Sequence, residues 1–247
     1  MSYMMEICEA GRTVEVYKYY TAGHPPKGKK RAPKMAITPE DVKKVNERNA
    51  AKKLRLILAE NFGAGDVHTV IGYSRREAPS PKEARRHLEQ FMRKLRQYCK
   101  DHVITLRYIT VTEYKRKRIH HHLVIPGIPA EDIAKLWGHG RPHITPLDSS
   151  GQYAQLADYL IKETSKTFTE PGAPYGKRWN QSKNLRPPKI TKTVVRANAW
   201  RKDPKPRKGY YVEKDSIRDG THEVTGYDFQ FYRMVMLEQP QKRREAS

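Results

Sequence analysis

The sequence predicts an α+β fold: a central antiparallel sheet with helices packed on it, followed by a basic, partly irregular C-terminal flank. Three observations point there. Val103 to Tyr114 and Arg118 to Ile125 are two β-branched runs separated by Lys115-Arg116-Lys117, the pattern of an antiparallel hairpin. Segments with apolar residues at three- and four-residue spacing precede and follow that hairpin, so helices alternate with strands. Beyond Pro171 the chain turns basic and proline-rich: Pro171 to Tyr210 holds 12 Lys+Arg, one acid and six prolines, a composition that buries little.

The elements follow in chain order. Glu6 to Tyr20 includes the alternating run Thr13-Val14-Glu15-Val16-Tyr17-Lys18-Tyr19, which reads as a short strand. Gly23 to Arg31 is a basic Pro/Gly loop. Thr38-Pro39-Glu40-Asp41 starts a helix, with a capping hydroxyl, proline in the first turn and early acids. Leu54, Ile57, Leu58 and Phe62 give that helix an apolar stripe, and Gly63 and Gly65 end it. Asp66 to Tyr73 reads as a strand. Ser80-Pro81-Lys82-Glu83 is a capping box that opens a helix with Ala84, Leu88, Phe91, Met92, Leu95 and Tyr98 on its buried face. After the hairpin come a short helix over Pro129 to Trp137 stopped at Gly138, a strand over Pro142 to Leu147, and a third long helix over Asp148 to Lys166. Tyr227 to Leu237 regains strand character and is expected to dock back on the main domain. The expected organisation is an N-terminal strand and basic linker (1–37), a nuclease-like domain (38–168) and the basic flank (169–247).

Composition bounds the function. The 247 residues carry a formal charge of +22, with a pI near 9.9. Such a surplus favours a polyanionic partner, most commonly DNA or RNA. No stretch approaches the roughly 18–20 apolar residues of a membrane span, and Met1 to Tyr20 lacks the apolar core of a signal peptide, so a cytoplasmic protein is expected. Cys8 and Cys99 are too few for a disulfide framework and too far apart for a zinc knuckle. Fifteen tyrosines offer rings that can stack on bases. No Walker-type loop is present, so a fused helicase is not supported.

The hairpin carries the candidate chemistry. Side chains alternate faces along a strand, so His120 and His122 share one face, about 7 Å apart, while Ile119, His121 and Leu123 share the other. If the register sets Glu113 opposite His120, the carboxylate joins both imidazoles. Imidazole and carboxylate donors suit Mn²⁺, Mg²⁺ or Zn²⁺ and leave positions open for substrate oxygens. One strand histidine alone would be read as an ordinary polar residue; the pair with an acid seven residues upstream points to a metal. On the third long helix, Tyr153, Leu156, Ala157, Leu160 and Ile161 gather on an apolar face, whereas Gln155, Tyr159, Lys162 and Lys166 gather on another. Tyr153 is therefore read as a core residue. Tyr159 stands off the core with a lysine one turn away, which can lower the phenol's pKa and steady developing charge. His68, His139 and His143 lie in the same domain and are left outside the candidate set.

At these residues the chain resembles the HUH endonucleases, and among them the rolling-circle replication initiators of plasmids, phages and small single-stranded DNA viruses. The resemblance covers roughly Asp66 to Lys166. His120-His121-His122 resembles the family's His-hydrophobe-His strand, with a third histidine in the middle; Glu113 stands where the viral initiators have an acidic ligand; Tyr159-Leu160-Ile161-Lys162 resembles the Tyr-x-x-Lys motif; and Val67 to Tyr73 loosely resembles the first strand motif. The resemblance implies a divalent metal, Mn²⁺ or Mg²⁺, held by Glu113, His120 and His122. It implies attack by Tyr159 on a single-stranded DNA phosphate, leaving a 5′-phosphotyrosyl link and a free 3′-OH, with Lys162 steadying the phosphate. Arg116, Lys117, Arg118 and Lys166 would bind the nucleic acid. The expected partner is single-stranded DNA at a replication origin, with a host helicase and polymerase. A relaxase or HUH transposase would share this chemistry; a non-catalytic single-stranded nucleic-acid-binding module would share only the affinity.

Overall fold

The computed structural model describes residues 2–28, 31–33, 36–115, 118–167 and 177–237. The fold is mixed α+β, with two antiparallel five-stranded sheets and four helices. Its contacts divide the chain into two compact units, 1–39 with 188–247, and 40–187. The boundaries expected from the sequence, at 37/38 and 168/169, are consecutive instead.

In the unit spanning 40–187, helix α1 (Pro39–Asn61) leads to β3 (Asp66–Ile71), α2 (Pro81–Asp101), β4 (Ile109–Lys115), β5 (Arg118–Pro126), α3 (Ala130–Trp137), β6 (His143–Pro146), α4 (Ala154–Thr167) and β7 (Asn180–Gln181); β1 (Tyr3–Ala10) and β2 (Thr13–Tyr19) precede it. The sheet order is β6-β3-β5-β4-β7, which makes β5 the central strand. Both its faces are covered. Ile109, Val111 and Val124 pack against Leu54, Ile57 and Leu58 of α1 and Tyr153, Ala157, Leu160 and Ile161 of α4. On the other face Val67, Ile71, Leu123 and Ile125 meet Phe91, Met92, Leu95 and Cys99 of α2 and Ile133 and Trp137 of α3. Two-sided burial explains why the end of β5, Leu123-Val124-Ile125, is continuously apolar rather than alternating.

The local signals act as their chemistry requires. Ser80 Oγ accepts the Glu83 N–H while the Glu83 carboxylate accepts from the Ser80 N–H, so both halves of the capping box form. Gly138 ends α3 in the left-handed region at φ 76°. Tyr153 is buried and its hydroxyl donates to the Asp148 carbonyl.

Several expectations are corrected. Helix α4 begins at Ala154 rather than Asp148, because Gly151 takes φ 71° and the Asp148 carboxylate accepts from Ser150, holding a turn that competes with the helix. β4 begins at Ile109 rather than Val103, whose φ of 55° lies outside the extended region. The flank is less irregular than its composition implied: β8 (Lys189–Val195), β9 (Tyr210–Thr221) and β10 (Asp228–Met236) join β1 and β2 in a sheet of order β8-β1-β2-β10-β9. β8 has almost no buried side chain, so its pattern carries no strand signal; it is held by backbone pairing along β1 and by the Lys192–Glu6 and Lys189–Glu9 ion pairs. β10 pairs with β2 and β9, and Tyr232 and Met234 pack on Val14 and Val16, so this segment completes the sheet of the N-terminal strands instead of docking on the nuclease-like domain. Both cysteines are buried free thiols, and no described helix is long and apolar enough to cross a membrane.

One buried group makes stability pH-dependent. His121 points into the α2–α3 side of the sheet, fully buried, its Nδ1 beside Thr112 Oγ1 at 2.9 Å and its ring edge-on to Trp137. Burial, reinforced by neighbouring imidazoles, holds its pKa down at about 3, against an ordinary value of 6.5. The unfolded chain therefore takes up the proton first. The stability linked to this residue is complete above about pH 6.5 and is lost as pH falls toward 3. Urea unfolding between about pH 7.5 and about pH 5 is expected to show a declining midpoint, and a folded His121→Gln variant a shallower decline.

Candidate active site

The register between β4 and β5 sets Glu113 opposite His120 and Val111 opposite His122. On the other side of β5, Val70 of β3 faces His122 and His143 of β6 faces Val70, while His68 lies opposite Val124. Cross-strand partners share a face. One side of the sheet thus carries Glu113, His120, His122, His68 and His143 at the margin of the core formed with α1 and α4.

His122 is the hub. Its Nε2 lies 3.5 Å from Glu113 Oε2, and its Nδ1 lies 3.3 Å from His68 Nε2, with the two imidazoles nearly parallel at 7°. Helix α4 lays Tyr159 against the same ring, edge to face, with centroids 5.4 Å apart. Ala157, Leu160 and Ile161 anchor α4 in the core, so Tyr159 is held on its rim, 43% exposed. Lys162 is exposed one turn further on. His120 leans over Gly72: a β-carbon there would stand 2.7 Å from His120 Cδ2.

Burial sets the charge state of this cluster. His122 is held at about 4 by burial and by the neighbouring His68 and His120, against an opposing pull from Glu163. His68 is likewise held at about 4, by burial and His143. At neutral pH these are uncharged imidazoles with lone pairs to donate, next to a buried carboxylate. That donor chemistry suits a divalent ion. The arrangement is not a closed coordination set, however: among the described residues no group of three or more His, Cys, Asp and Glu is placed to hold a metal ion.

The structure therefore brings Glu113, His122 and Tyr159 together, and sets His120 on their face with its ring over Gly72. Arg118 is exposed at the start of β5. Arg116 and Lys117 lie outside the described residues, as does the side chain of Lys166. Two further residues join the cluster without a mark in the sequence motifs. His68 belongs to no motif, and only the β3–β5 pairing shows it beside His122. Glu163 is buried on α4 and acts on His122; its position four residues after Tyr159, on the same side of a helix, is the available signal.

A second feature is likewise absent from the motifs. An open groove of about 740 Å³ runs along α2 and the edge of β4, lined by Arg93, Arg96, Lys177, Tyr108, Tyr114 and Trp179 among others. Arg96 stacks over Tyr108 and its guanidinium donates to that hydroxyl at 3.3 Å. Guanidinium groups interleaved with aromatic rings are suited to a phosphate backbone and unstacked bases.

Comparisons with known proteins agree with this region's character. Searches of curated proteins and of solved structures give no match. Residues 69–168, which include Glu113, His120, His122, Tyr159 and Lys162, match a family model of replication-associated proteins, the ORF2 type.

Proposed function

We propose that this chain is a rolling-circle replication initiator of the HUH type, which nicks and rejoins single-stranded DNA through Tyr159. The observation that carries the reading is the contact of the Tyr159 ring with His122, itself 3.5 Å from Glu113, within the replication-associated segment. The Tyr159 Oη–P bond forms as the P–O3′ bond breaks, and the phenolic proton ends on the departing 3′ oxygen. Retention of the phosphoester in the link lets a later 3′-OH reverse the step without ATP. A Mn²⁺ or Mg²⁺ ion bound at Glu113, His120 and His122 supplies neutralisation of the phosphate's charge. Lys162, one turn from Tyr159, orients the phosphate, and the neutral imidazole of His68 buttresses His122 so that the ring faces Glu113. The groove beside α2 guides the strand.

The groove and the open donor set also support a second reading, a non-catalytic single-stranded nucleic-acid-binding module. Incubation of labelled single-stranded DNA carrying the nick sequence with protein and Mn²⁺ separates the two. An initiator yields a covalent protein–DNA adduct that is lost in Tyr159→Phe while DNA binding stays within about twofold. An adduct that persists in Tyr159→Phe removes this tyrosine as nucleophile, and no adduct with the wild type under any divalent ion favours the binding module.

Gly72→Ala is expected to push the His120 ring off its seat and lower Mn²⁺ affinity, read by calorimetry, by about tenfold, in the range seen when a supporting residue of a metal site is lost. Arg93→Ala and Arg96→Ala are expected to weaken DNA binding and to flatten the slope of log K against log salt by about 0.7 per lost single-strand phosphate contact, with the adduct yield at saturating DNA unchanged.

A further inference from the structure

The unit formed by 1–39 and 188–247 lies outside the replication-associated match and has a face that the nicking chemistry does not use. Tyr17 and Tyr19 of β2 stand opposite Phe231 and Phe229 of β10, so four aromatic side chains share one face of the sheet. The apolar core of this unit, built on Val14, Val16, Tyr232 and Met234, lies on the other face. Tyr17, Tyr19 and Phe229 are only half-buried. Tyr17 stacks on Tyr19 with centroids 4.9 Å apart and 27° between planes, and meets Phe229 at 5.7 Å.

A concave pocket of about 400 Å³ opens over these rings, closed at its side by Tyr227, His222 and Arg31. Its wall is built rather than incidental. The Ala32 N–H donates to the Gly226 carbonyl, and Arg31 Nε donates to the Thr225 carbonyl at 2.6 Å while its guanidinium lies over Tyr227. Gly226 sits at φ 67°, and a β-carbon there would strike the Ala32 carbonyl oxygen, so only glycine permits this closure. Among the described residues no acid lines the pocket, and across the unit's sequence basic residues outnumber acidic ones almost two to one.

We infer that this pocket is a second DNA-binding site, in which an unpaired base stacks on the Tyr17–Tyr19–Phe229 platform and Arg31 meets the adjoining phosphate. The volume is within the range of small-ligand sites. Half-exposed rings on a sheet face accept any base through its π-surface, and a guanidinium beside them supplies the charge that a free aromatic patch would lack. The choice of single-stranded DNA rests on the proposed nicking function; the stacking chemistry does not.

The test measures anisotropy of a fluorescein-labelled oligothymidylate against the full chain. Tyr19→Ala and Arg31→Ala, checked for folding by circular dichroism, are each expected to weaken binding about fivefold or more, and Tyr19→Phe to stay within about twofold of wild type. Crosslinking of a 5-iododeoxyuridine oligonucleotide to the unmutated chain, mapped by mass spectrometry, covers the case in which a variant fails to fold: adducts are expected on peptides holding Tyr17, Tyr19 or Phe229. Unchanged affinity in folded Tyr19→Ala, equal competition by a duplex, or crosslinks confined to 40–187 would each overturn the proposal. These readouts do not depend on covalent nicking, so loss of the Tyr159 adduct alone would count against the proposed function and leave this site standing.

Discussion

The pairing of Glu113 with His120 across β4 and β5 is the constraint on which the candidate site depends. Side chains alternate with a period of two, so a slip of one residue would exchange the faces of the whole strand. In the observed register His121 enters the core between the sheet and α2, and His122 turns toward Glu113 and α4. The apolar residues that follow pin this arrangement. Leu123 and Ile125 fill one core and Val124 the other, so the hydrophobic cost of a slip falls on both sides of the sheet.

Packing then determines the electrostatics. An imidazole in water is partly protonated near neutrality, whereas burial against α1 and α4 holds His122 and His68 at about 4. Neutral rings can lie parallel at hydrogen-bonding distance where two imidazolium ions would repel. The same helix that provides the apolar cover places Tyr159 on the rim, because Ala157, Leu160 and Ile161 are turned inward and Tyr159 is left outward. Cover and reactive side chain thus come from one amphipathic element.

The charge of +22 is distributed over structurally distinct sites. In the 40–187 unit, arginines of α2 line a groove with Tyr108 and Trp179. In the other unit Arg31 is fastened beside an aromatic platform. Both place cations next to rings rather than alone, the combination that suits unpaired nucleic acid better than a uniform positive surface.

Local chemistry was legible wherever a residue acts on its near neighbours. The capping box at Ser80, the stop at Gly138, the stripes of α1 and α2, and the hairpin with His120 and His122 opposite Glu113 all follow from helical and strand periodicity and from side-chain hydrogen bonding. Composition misled where a strand buries almost nothing: β8 is a strand because β1 offers it a backbone edge, and its own side chains do not record that. Long-range pairing was likewise invisible. That residues 3–19 and 189–236 form one sheet, that His68 reaches His122, that Glu163 acts on that ring, and that His120 rests over Gly72 are matters of which strands lie side by side. The amino-acid sequence by itself determined the elements, the face of each histidine and the candidate nucleophile; the tertiary structure alone decided their neighbours, because contacts between segments far apart in the chain leave no periodicity in either segment.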